Sequence, residues 1–314
     1  MIMSAATESE TESMPMQCCA SCGIAEGEGD DIKLKNCVCG LVRYCSDACK
    51  QIHKSEHEGA CKKRVAELRD ELLFKQPEST HEGDCPICCL PIPLDLQKST
   101  LSSCCSKRVC DGCNFANLKR EREGRLQQKC PFCRIALPGT EEEADVQRMK
   151  RIEANDPVAT CSMGTKRYHE GDYTAAFEYF TKAAALGDVQ AHYQLSWLYH
   201  DGTGVEKDEK RAMYYAEMAA IGGHPSARHN LGSFDAENDH YDRSAKHLMI
   251  AAKLGFDPSL DSVKELYKAG IVSKDDFTAA LRGYQTAIEA AKSPQRKEAE
   301  KYAEWLAERK RRGI

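Results

Sequence analysis

The stretch KAAALGDVQA, at residues 182–191, recurs as EMAAIGGHPSA at residues 217–227, an offset of 36 that places Gly187 on Gly223. A third version, IAAKLGFDPSL, follows at residues 250–260 after a further 32 positions. A fixed period of this size is typical of stacked helix pairs, in which each pair buries its apolar face against the next. The rear half of the chain is therefore predicted to be an all-α helical-repeat solenoid.

The predicted helices repeat small side chains on one face and capping residues at their ends. Two predicted helices carry matching residues at positions i, i+4 and i+7. These are Ala176, Phe180 and Ala183 in the first helix, and Ala212, Ala216 and Ala219 in the second. Small residues on such a face let neighbouring helices approach closely. Each repeated glycine is expected to end a helix as a left-handed cap. Asp188, Asp257 and Ser273 are candidate N-caps, and His224 is interpreted as a packing or loop residue.

The same strings resemble Sel-one-like repeats, which are relatives of the tetratricopeptide repeat. The resemblance includes YHDGTGVEKDEKRA, at residues 199–212, between the helices of one unit, and it covers residues 157–291. It implies a curved face that binds peptides or other proteins. We therefore expect protein partners for this half of the chain, which offers no catalytic motif.

The front of the chain differs in composition, since seventeen of the eighteen cysteines lie before Arg134. The 314 residues carry a net charge of −5, which argues against general binding to nucleic acid. No apolar run reaches the roughly 18 residues needed to cross a bilayer, and the first residues lack the pattern of a secretory signal. We therefore expect a cytoplasmic or nuclear protein without membrane contact. Thiols stay reduced in those compartments, so clustered cysteines indicate zinc ligands rather than disulfides.

The first cysteine cluster contains eight donors in four pairs. In chain order these are Cys19 and Cys22, Cys37 and Cys39, Cys45 and Cys49, and His57 and Cys61. Thiolate and imidazole donors that approach in pairs can complete a tetrahedral zinc site, so eight donors indicate two zinc ions. Metal in such a module replaces an apolar core that is too small to fold alone.

The order of these pairs and the string VRYCSDACKQIHKSEHEGAC, at residues 42–61, resemble the MYND zinc finger, and we assign this module to residues 17–61. The resemblance implies an interleaved arrangement, with one zinc on Cys19, Cys22, Cys45 and Cys49 and the other on Cys37, Cys39, His57 and Cys61. The sequence departs from the family pattern at Asn36, where the third ligand usually stands. It also has Lys50 and Lys54 where the family places the Gln and Trp that bind proline-rich peptides.

The second cluster consists of three strings: CPICC at residues 85–89, SCCSKRVCDGC at residues 103–113 and CPFCR at residues 130–134. Their spacing resembles a RING-type domain over residues 85–134. The resemblance implies one zinc on Cys85, Cys88, Cys110 and Cys113, and a second on Cys130 and Cys133 with two ligands from Cys104 and Cys105. Lys107 occupies the position of the usual histidine ligand, and a charged lysine cannot serve as a neutral donor.

The RING-type resemblance also implies ubiquitin ligase activity, with a ubiquitin-conjugating enzyme as partner. In such ligases the conjugating enzyme packs on the residue before the second ligand and on the proline between the last two, here Ile87 and Pro131. A cation after the last ligand, here Arg134, contacts both the conjugating enzyme and ubiquitin. The alternative interpretation is that Ile87 and Pro131 pack the zinc loops and that Arg134 is a solvated surface charge.

The chain is thus predicted to be multidomain, with two small zinc-stabilised modules, the all-α solenoid and about four zinc ions. The other segments are a disordered tail at residues 1–16, a connecting helix at 62–84, a linker helix at 135–156 and a basic C-terminal helix at 292–314. This order of modules resembles an algal protein family. The leading hypothesis is an interaction scaffold or adaptor, and the alternatives are a ubiquitin ligase and a chromatin adaptor with a nuclear signal at residues 309–312. Metal removal is expected to unfold residues 19–134 and to leave the repeat half helical.

Overall fold

The computed structural model describes residues 19–21 and 33–312, and the chain divides into two compact units, Met1–Leu73 and Phe74–Ile314. The tail expected at residues 1–16 and the predicted ligand Cys22 lie outside the described residues. The second cysteine cluster and the helical repeats belong to the same unit, whereas the sequence suggested that they fold separately.

The first unit is built around its cysteines rather than around a large apolar core. Its elements are β1 (Lys35–Asn36), β2 (Arg43–Tyr44), α1 (Asp47–Ile52) and α2 (Lys54–Leu73). The two strands form an antiparallel hairpin, with Lys35 opposite Tyr44. Six buried side chains near the hairpin form a cluster: Cys19, Leu34, Cys37, Cys39, Val42 and Tyr44. The helix expected at residues 62–84 is α2, which begins earlier, at Lys54, and ends at Leu73.

The second unit begins with a small module in which thiols again form much of the core. Its elements are a 3-10 turn (Leu96–Lys98), β3 (Ser99–Leu101), β4 (Arg108–Cys110) and α3 (Asp111–Glu123). The strands β3 and β4 are antiparallel, with Thr100 opposite Val109. The buried residues around them are Cys85, Ile92, Val109, Cys110 and Cys113. A module that buries so few apolar side chains needs another source of stability.

The chain then continues through α4 (Glu141–Glu153), α5 (Pro157–His169), α6 (Tyr173–Ala185), α7 (Val189–Asp201), α8 (Glu209–Ile221), α9 (Pro225–Glu237), α10 (Tyr241–Lys253), α11 (Asp257–Lys268), α12 (Lys274–Ala290) and α13 (Pro294–Arg311). From α5 onward these helices stack in pairs, α5 on α6, α7 on α8 and α9 on α10, and successive pairs also pack together. The predicted all-α solenoid is confirmed. Within the described part of the chain, no helix is long and apolar enough to span a membrane.

Most turns and helix caps of the solenoid follow from the local sequence. The repeated glycines have φ angles of 89°, 85° and 90°: Gly187, Gly223 and Gly255. Only glycine adopts this left-handed conformation without steric cost. Asp188 caps α7 by accepting a hydrogen bond from the N–H of Ala191 at 2.7 Å, and Ser273 caps α12 in the same way. The prediction for Asp257 is wrong, because Phe256 holds the cap position of α11 and that helix has no side-chain cap hydrogen bond.

The segment 74–84 packs on the repeat helices and is not helical. The backbone carbonyl of Lys75 accepts a hydrogen bond at 3.3 Å from the guanidinium of Arg228, a fully buried residue of α9. The ring of His81 stacks on that of His224, with 4.3 Å between the ring centres. These contacts attach segment 74–84 to the solenoid. The segment leads directly into the second cysteine cluster.

Candidate metal centres

Four predicted ligands converge beside the hairpin of the first unit: Cys37, Cys39, His57 and Cys61. The hairpin turn brings Cys37 to this group, although the family pattern places a ligand at Asn36. His57 and Cys61 lie one turn apart on α2, so their side chains share one face of the helix. The Cys39 sulfur lies 3.1 Å from Nε2 of His57. The sulfur atoms of Cys37 and Cys61 are 3.5 Å apart.

The other predicted set of the first unit is described in part. Cys19, Cys45 and Cys49 lie together, and their expected fourth member, Cys22, is outside the described residues. Cys45 directly follows β2, and Cys49 lies in α1, whose first turn is fixed by a hydrogen bond from the Cys49 N–H to the Ser46 hydroxyl at 3.2 Å. The sulfur atoms of Cys45 and Cys49 are 3.5 Å apart. Three convergent thiols leave one position of a tetrahedral site for a further donor.

In the second unit, the first group contains Cys85, Cys88, Cys110 and Cys113. Cys85 opens a tight loop, in which its N–H donates to the carbonyl of Leu90 at 2.9 Å. Cys110 ends β4 and Cys113 lies in the first turn of α3, so the strand-to-helix junction presents both thiols. The sulfur atoms of Cys88 and Cys110 are 3.7 Å apart.

The second group of this unit contains Cys104, Cys105, Cys130 and Cys133. The turn between β3 and β4 carries Cys104 and Cys105. The Cys104 sulfur lies 3.2 Å from that of Cys133, and the Cys105 sulfur lies 3.9 Å from that of Cys130. Both adjacent cysteines therefore face the group. Lys107, at the position of the usual histidine ligand, is exposed and is not a member.

All four groups share one geometry. The donor atoms of each group lie within 4.8 Å of one another. A tetrahedral site with Zn–S bonds of ~2.3 Å holds its sulfur atoms about 3.8 Å apart, and the measured sulfur–sulfur distances run from 3.2 to 3.9 Å. A disulfide bond would need about 2.05 Å. The groups can therefore hold a metal ion, and these sulfur pairs are not disulfides.

Burial and nearby backbone N–H groups shift the pKa values of the thiols in different directions. Burial raises the pKa of Cys85, but backbone hydrogen bonds, first that of Cys88, outweigh it and lower the pKa to about 7. In the group that contains Cys105, burial raises the pKa of that thiol, and the charges of Cys130 and Cys133 raise it further. The backbone N–H of Lys107 lowers the pKa, but the net result is a value of about 11. Several thiolates can exist side by side only with a compensating cation, because they repel one another. A divalent ion supplies that compensation.

The three residues predicted to contact a conjugating enzyme differ in their surroundings. Ile87 is 43% exposed and offers an apolar side chain to solvent, whereas Pro131 is half-buried. The Arg134 guanidinium donates a hydrogen bond to the side chain of Asn117 at 2.8 Å. It also lies 3.4 Å from the buried carboxylate of Glu121. Arg134 is thus engaged with α3 and is not simply a solvated charge.

One residue beside the metal ligands was missed by the sequence analysis. Arg296 of α13 is only 8% exposed, and its Nη2 atom lies 3.6 Å from the sulfur of Cys88. The basic character of residues 292–314 predicts a helix but not this contact. A signal existed, because Arg296, Ala299 and Tyr302 are spaced by three residues and therefore share one helix face.

Comparison with known proteins supports the class of the helical half. The Sel1 repeat family model matches residues 158–188 and 189–224. The chain therefore contains Sel1 repeats, and the prediction of Sel-one-like repeats is confirmed.

Two curated relatives and a solved structure are similar to part of the chain. DAP3-binding cell death enhancer 1 of Mus musculus is 25% identical over 201 residues, which cover 51% of this chain and 39% of that protein. The protein of the same name from Rattus norvegicus is 34% identical over 199 residues, with coverages of 51% and 39%. The chain thus spans about two fifths of the length of these relatives. A Sel1 repeat protein from Oxalobacter formigenes has a TM-score of 0.40 at 25% identity, over 49% of this chain and 66% of that chain.

Proposed function

We propose that this protein is a zinc-binding interaction scaffold, in which metal-stabilised modules and the Sel1-repeat solenoid assemble protein partners. The observation that carries the proposal is the convergence of thiol and imidazole donors into four compact groups. Zinc suits these donors, since it prefers thiolate and imidazole ligands in tetrahedral sites. Reduced thiols fit a protein of the cytoplasm or nucleus.

We assign about four zinc ions to two modules. The MYND-like module at residues 17–61 holds two of them, one on Cys19, Cys22, Cys45 and Cys49 and one on Cys37, Cys39, His57 and Cys61. The RING-like module at residues 85–134 holds the others, one on Cys85, Cys88, Cys110 and Cys113 and one on Cys104, Cys105, Cys130 and Cys133. In each module the pairs interleave along the chain, so metal binding fixes distant segments together.

The solenoid supplies the surface for partners. Sel1 repeats mediate contacts between proteins, and the mouse and rat relatives are named for binding to another protein. Large aromatic side chains are exposed on its helices, among them Trp197 of α7, Tyr214 of α8 and Phe234 of α9. Aromatic residues are enriched at protein interfaces because they bury a large area with few rotatable bonds. These side chains are our candidates for partner contacts.

Metal content tests the zinc-binding part of the proposal. Elemental analysis of the full chain, purified without chelator, should give about four zinc ions per chain. Cys85→Ser should lower this number by one. Cys89→Ser is the matched control, since Cys89 is an exposed neighbour outside the donor groups, and it should leave the metal content unchanged. A wild-type content of two ions or fewer would contradict the assignment.

A pair of tryptophan variants tests the scaffold surface. Trp197, on α7, is 41% exposed, and Trp305, on α13 outside the repeats, is 47% exposed. Partners crosslinked to the full chain should be lost with Trp197→Ala and kept with Trp305→Ala. Equal capture by the wild type and both variants would argue against Trp197 as a contact, and failure to crosslink any protein would argue against the scaffold.

A ubiquitin ligase is the second candidate, and the exposure of Ile87 favours it. Ile87 lies in the first thiol loop of the RING-like module, which we define as residues 85–90. It occupies the position where a conjugating enzyme would pack. Pro131 would complete the apolar surface. Arg134 would act from its position against α3, where Asn117 and Glu121 orient it.

An autoubiquitination assay with a panel of conjugating enzymes decides between the two candidates. If the module is a working ligase, the wild type forms ubiquitin chains and Ile87→Ala abolishes them at unchanged zinc content. Leu96→Ala is the control, because Leu96 is an exposed apolar residue elsewhere in the same module, and it should remain active. Inactivity of the wild type with every enzyme leaves the scaffold as the function.

A further inference from the structure

The C-terminal helix α13 packs along α3, the helix that carries the ligand Cys113. The rings of Phe115 and Tyr302 lie 5.0 Å apart. Two ion pairs flank them, Lys119 with Glu298 at 2.9 Å and Lys98 of the 3-10 turn with Glu300 at 2.8 Å. The helices approach so closely that a Cβ atom on Gly112 would lie 2.8 Å from the backbone nitrogen of Arg296. The basic C-terminal helix is therefore an integral part of the RING-like module.

Arg296, in the first turn of α13, reaches from this contact into the first thiol loop. Its guanidinium donates hydrogen bonds to the carbonyls of Pro91 at 2.7 Å, Leu90 at 3.2 Å and Ala291 at 2.6 Å. Its Nη2 atom also points to the sulfur of Cys88 at 3.6 Å. Among the described residues, the groups hydrogen-bonded to this buried guanidinium are carbonyl oxygens and the thiols of Cys88 and Cys110, with no carboxylate.

A guanidinium in this position suits a site made of four thiolates. Such a site with a divalent ion carries a net charge of −2, because four thiolates contribute four negative charges. Burying that charge is unfavourable without a counter-charge, and burying a lone guanidinium is unfavourable for the same reason. N–H groups that donate to metal-bound ligands fix their orientation, and their loss typically weakens metal binding by about 10- to 100-fold. The positive guanidinium and the negative metal site therefore each compensate for the cost of burying the other.

We infer that Arg296 is an outer-sphere donor to the metal site of Cys85, Cys88, Cys110 and Cys113, and that it couples metal occupancy to the docking of α13 on α3. The inference rests on the proposed zinc binding. Because such coupling is reciprocal, zinc at this site holds α13 in place, and a docked α13 raises the affinity of the site for zinc.

Zinc release from the full chain into increasing concentrations of a chelating indicator tests the coupling. In Arg296→Gln, one ion should leave at an about 10- to 100-fold lower chelator concentration than in the wild type, and the others should not shift. Arg296→Lys keeps the charge but cannot form the same fork of hydrogen bonds, so it should fall between the two. Lys119→Gln is the matched control, since it breaks only an exposed ion pair between the helices and touches no thiol, so its release curve should shift far less than that of Arg296→Gln.

Hydrogen–deuterium exchange gives a second readout that needs no change in activity. At saturating zinc, the amides of residues 294–311 should exchange faster in Arg296→Gln than in the wild type, while those of α5 to α10 should be unchanged. Identical release curves for Arg296→Gln and the wild type, or an equal shift of all ions, would overturn the inference while leaving zinc binding intact. A wild-type chain that binds no zinc would instead remove the proposed function on which the inference rests.

Discussion

The pH dependence of stability should report on His224, which is 4% exposed at the start of α9. Its ring lies between those of His81 and Tyr193, with centroid distances of 4.3 and 4.1 Å. Nδ1 accepts a hydrogen bond from the N–H of Ala227 at 3.2 Å and so caps the helix. Nε2 lies 3.0 Å from the side-chain oxygen of Gln190. These two contacts together require a neutral ring with its proton on Nε2.

The size of the effect follows from the cost of protonating this ring. Burial, and after it the neighbouring His81, hold the pKa of His224 well below its ordinary value of 6.5. The unfolded chain therefore takes up a proton below pH 6.5 that the folded chain does not. The contribution of the neutral His224 ring to the free energy of unfolding is fully present above pH 6.5 and declines below that pH. The decline stops at the pKa that His224 has in the folded state. While the folded ring stays neutral, the loss is about 1.4 kcal/mol at pH 5.5 and about 2 kcal/mol at pH 5.

Urea unfolding of the wild type and of His224→Asn at pH 7.5 and 5.5 measures this loss. Asparagine can still cap the helix but does not titrate, so the variant should lose about 1.4 kcal/mol less than the wild type between the two pH values. Protonation of the thiol ligands affects both proteins equally and cancels in the difference. His200→Asn, at an exposed position of α7, should behave as the wild type does. Equal losses in wild type and His224→Asn would refute the argument.

Three further changes test the core, a turn and the metal ligands. Phe180→Ala should lower the free energy of unfolding by about 3 to 5 kcal/mol, whereas the exposed Phe234→Ala should change it by less than about 1 kcal/mol, as measured in urea. Gly204→Ala should lower the melting temperature more than Gly171→Ala: both glycines have positive φ, but only at Gly204 would the new Cβ meet a backbone carbonyl, at 2.6 Å. Cys105→Ser should remove one zinc ion per chain by elemental analysis, and unchanged metal content would exclude Cys105 as a ligand.

The solenoid was predictable because its signals are local. A helix pair and its turn lie within one repeat, so the period, the small residues and the turn glycines appear together in a short stretch. The left-handed conformation of Gly187 and the cap at Asp188 are examples. Asp257 shows the limit of this reasoning, because the helix begins one residue earlier, at a Phe256 cap that no propensity favours.

The grouping of the cysteines could be anticipated for a similar reason, since each pair sits in one loop or on one helix face. His57 and Cys61 are an example, four residues apart on α2. Spacing alone does not show which loops meet, and resemblance to known modules supplied that step. The spacing of Arg296, Ala299 and Tyr302 indicates a packing face, but it does not show what that face packs on, because the carbonyl of Leu90 that Arg296 contacts is 206 residues away in the chain. The partner of a contact with such a separation cannot be identified from a local pattern.

These long-range contacts change the expected response to metal removal. The fully buried Arg228, whose pKa burial lowers to about 10, lies in the repeats but donates to the carbonyl of Lys75. The buried Arg296 likewise donates to distant backbone carbonyls, those of Leu90 and Pro91. A buried guanidinium is tolerated only while its acceptors stay in place. If loss of metal frees the segment that leads into the second cysteine cluster, the repeat helices lose acceptors for a buried charge, so chelation should lower the stability of the solenoid.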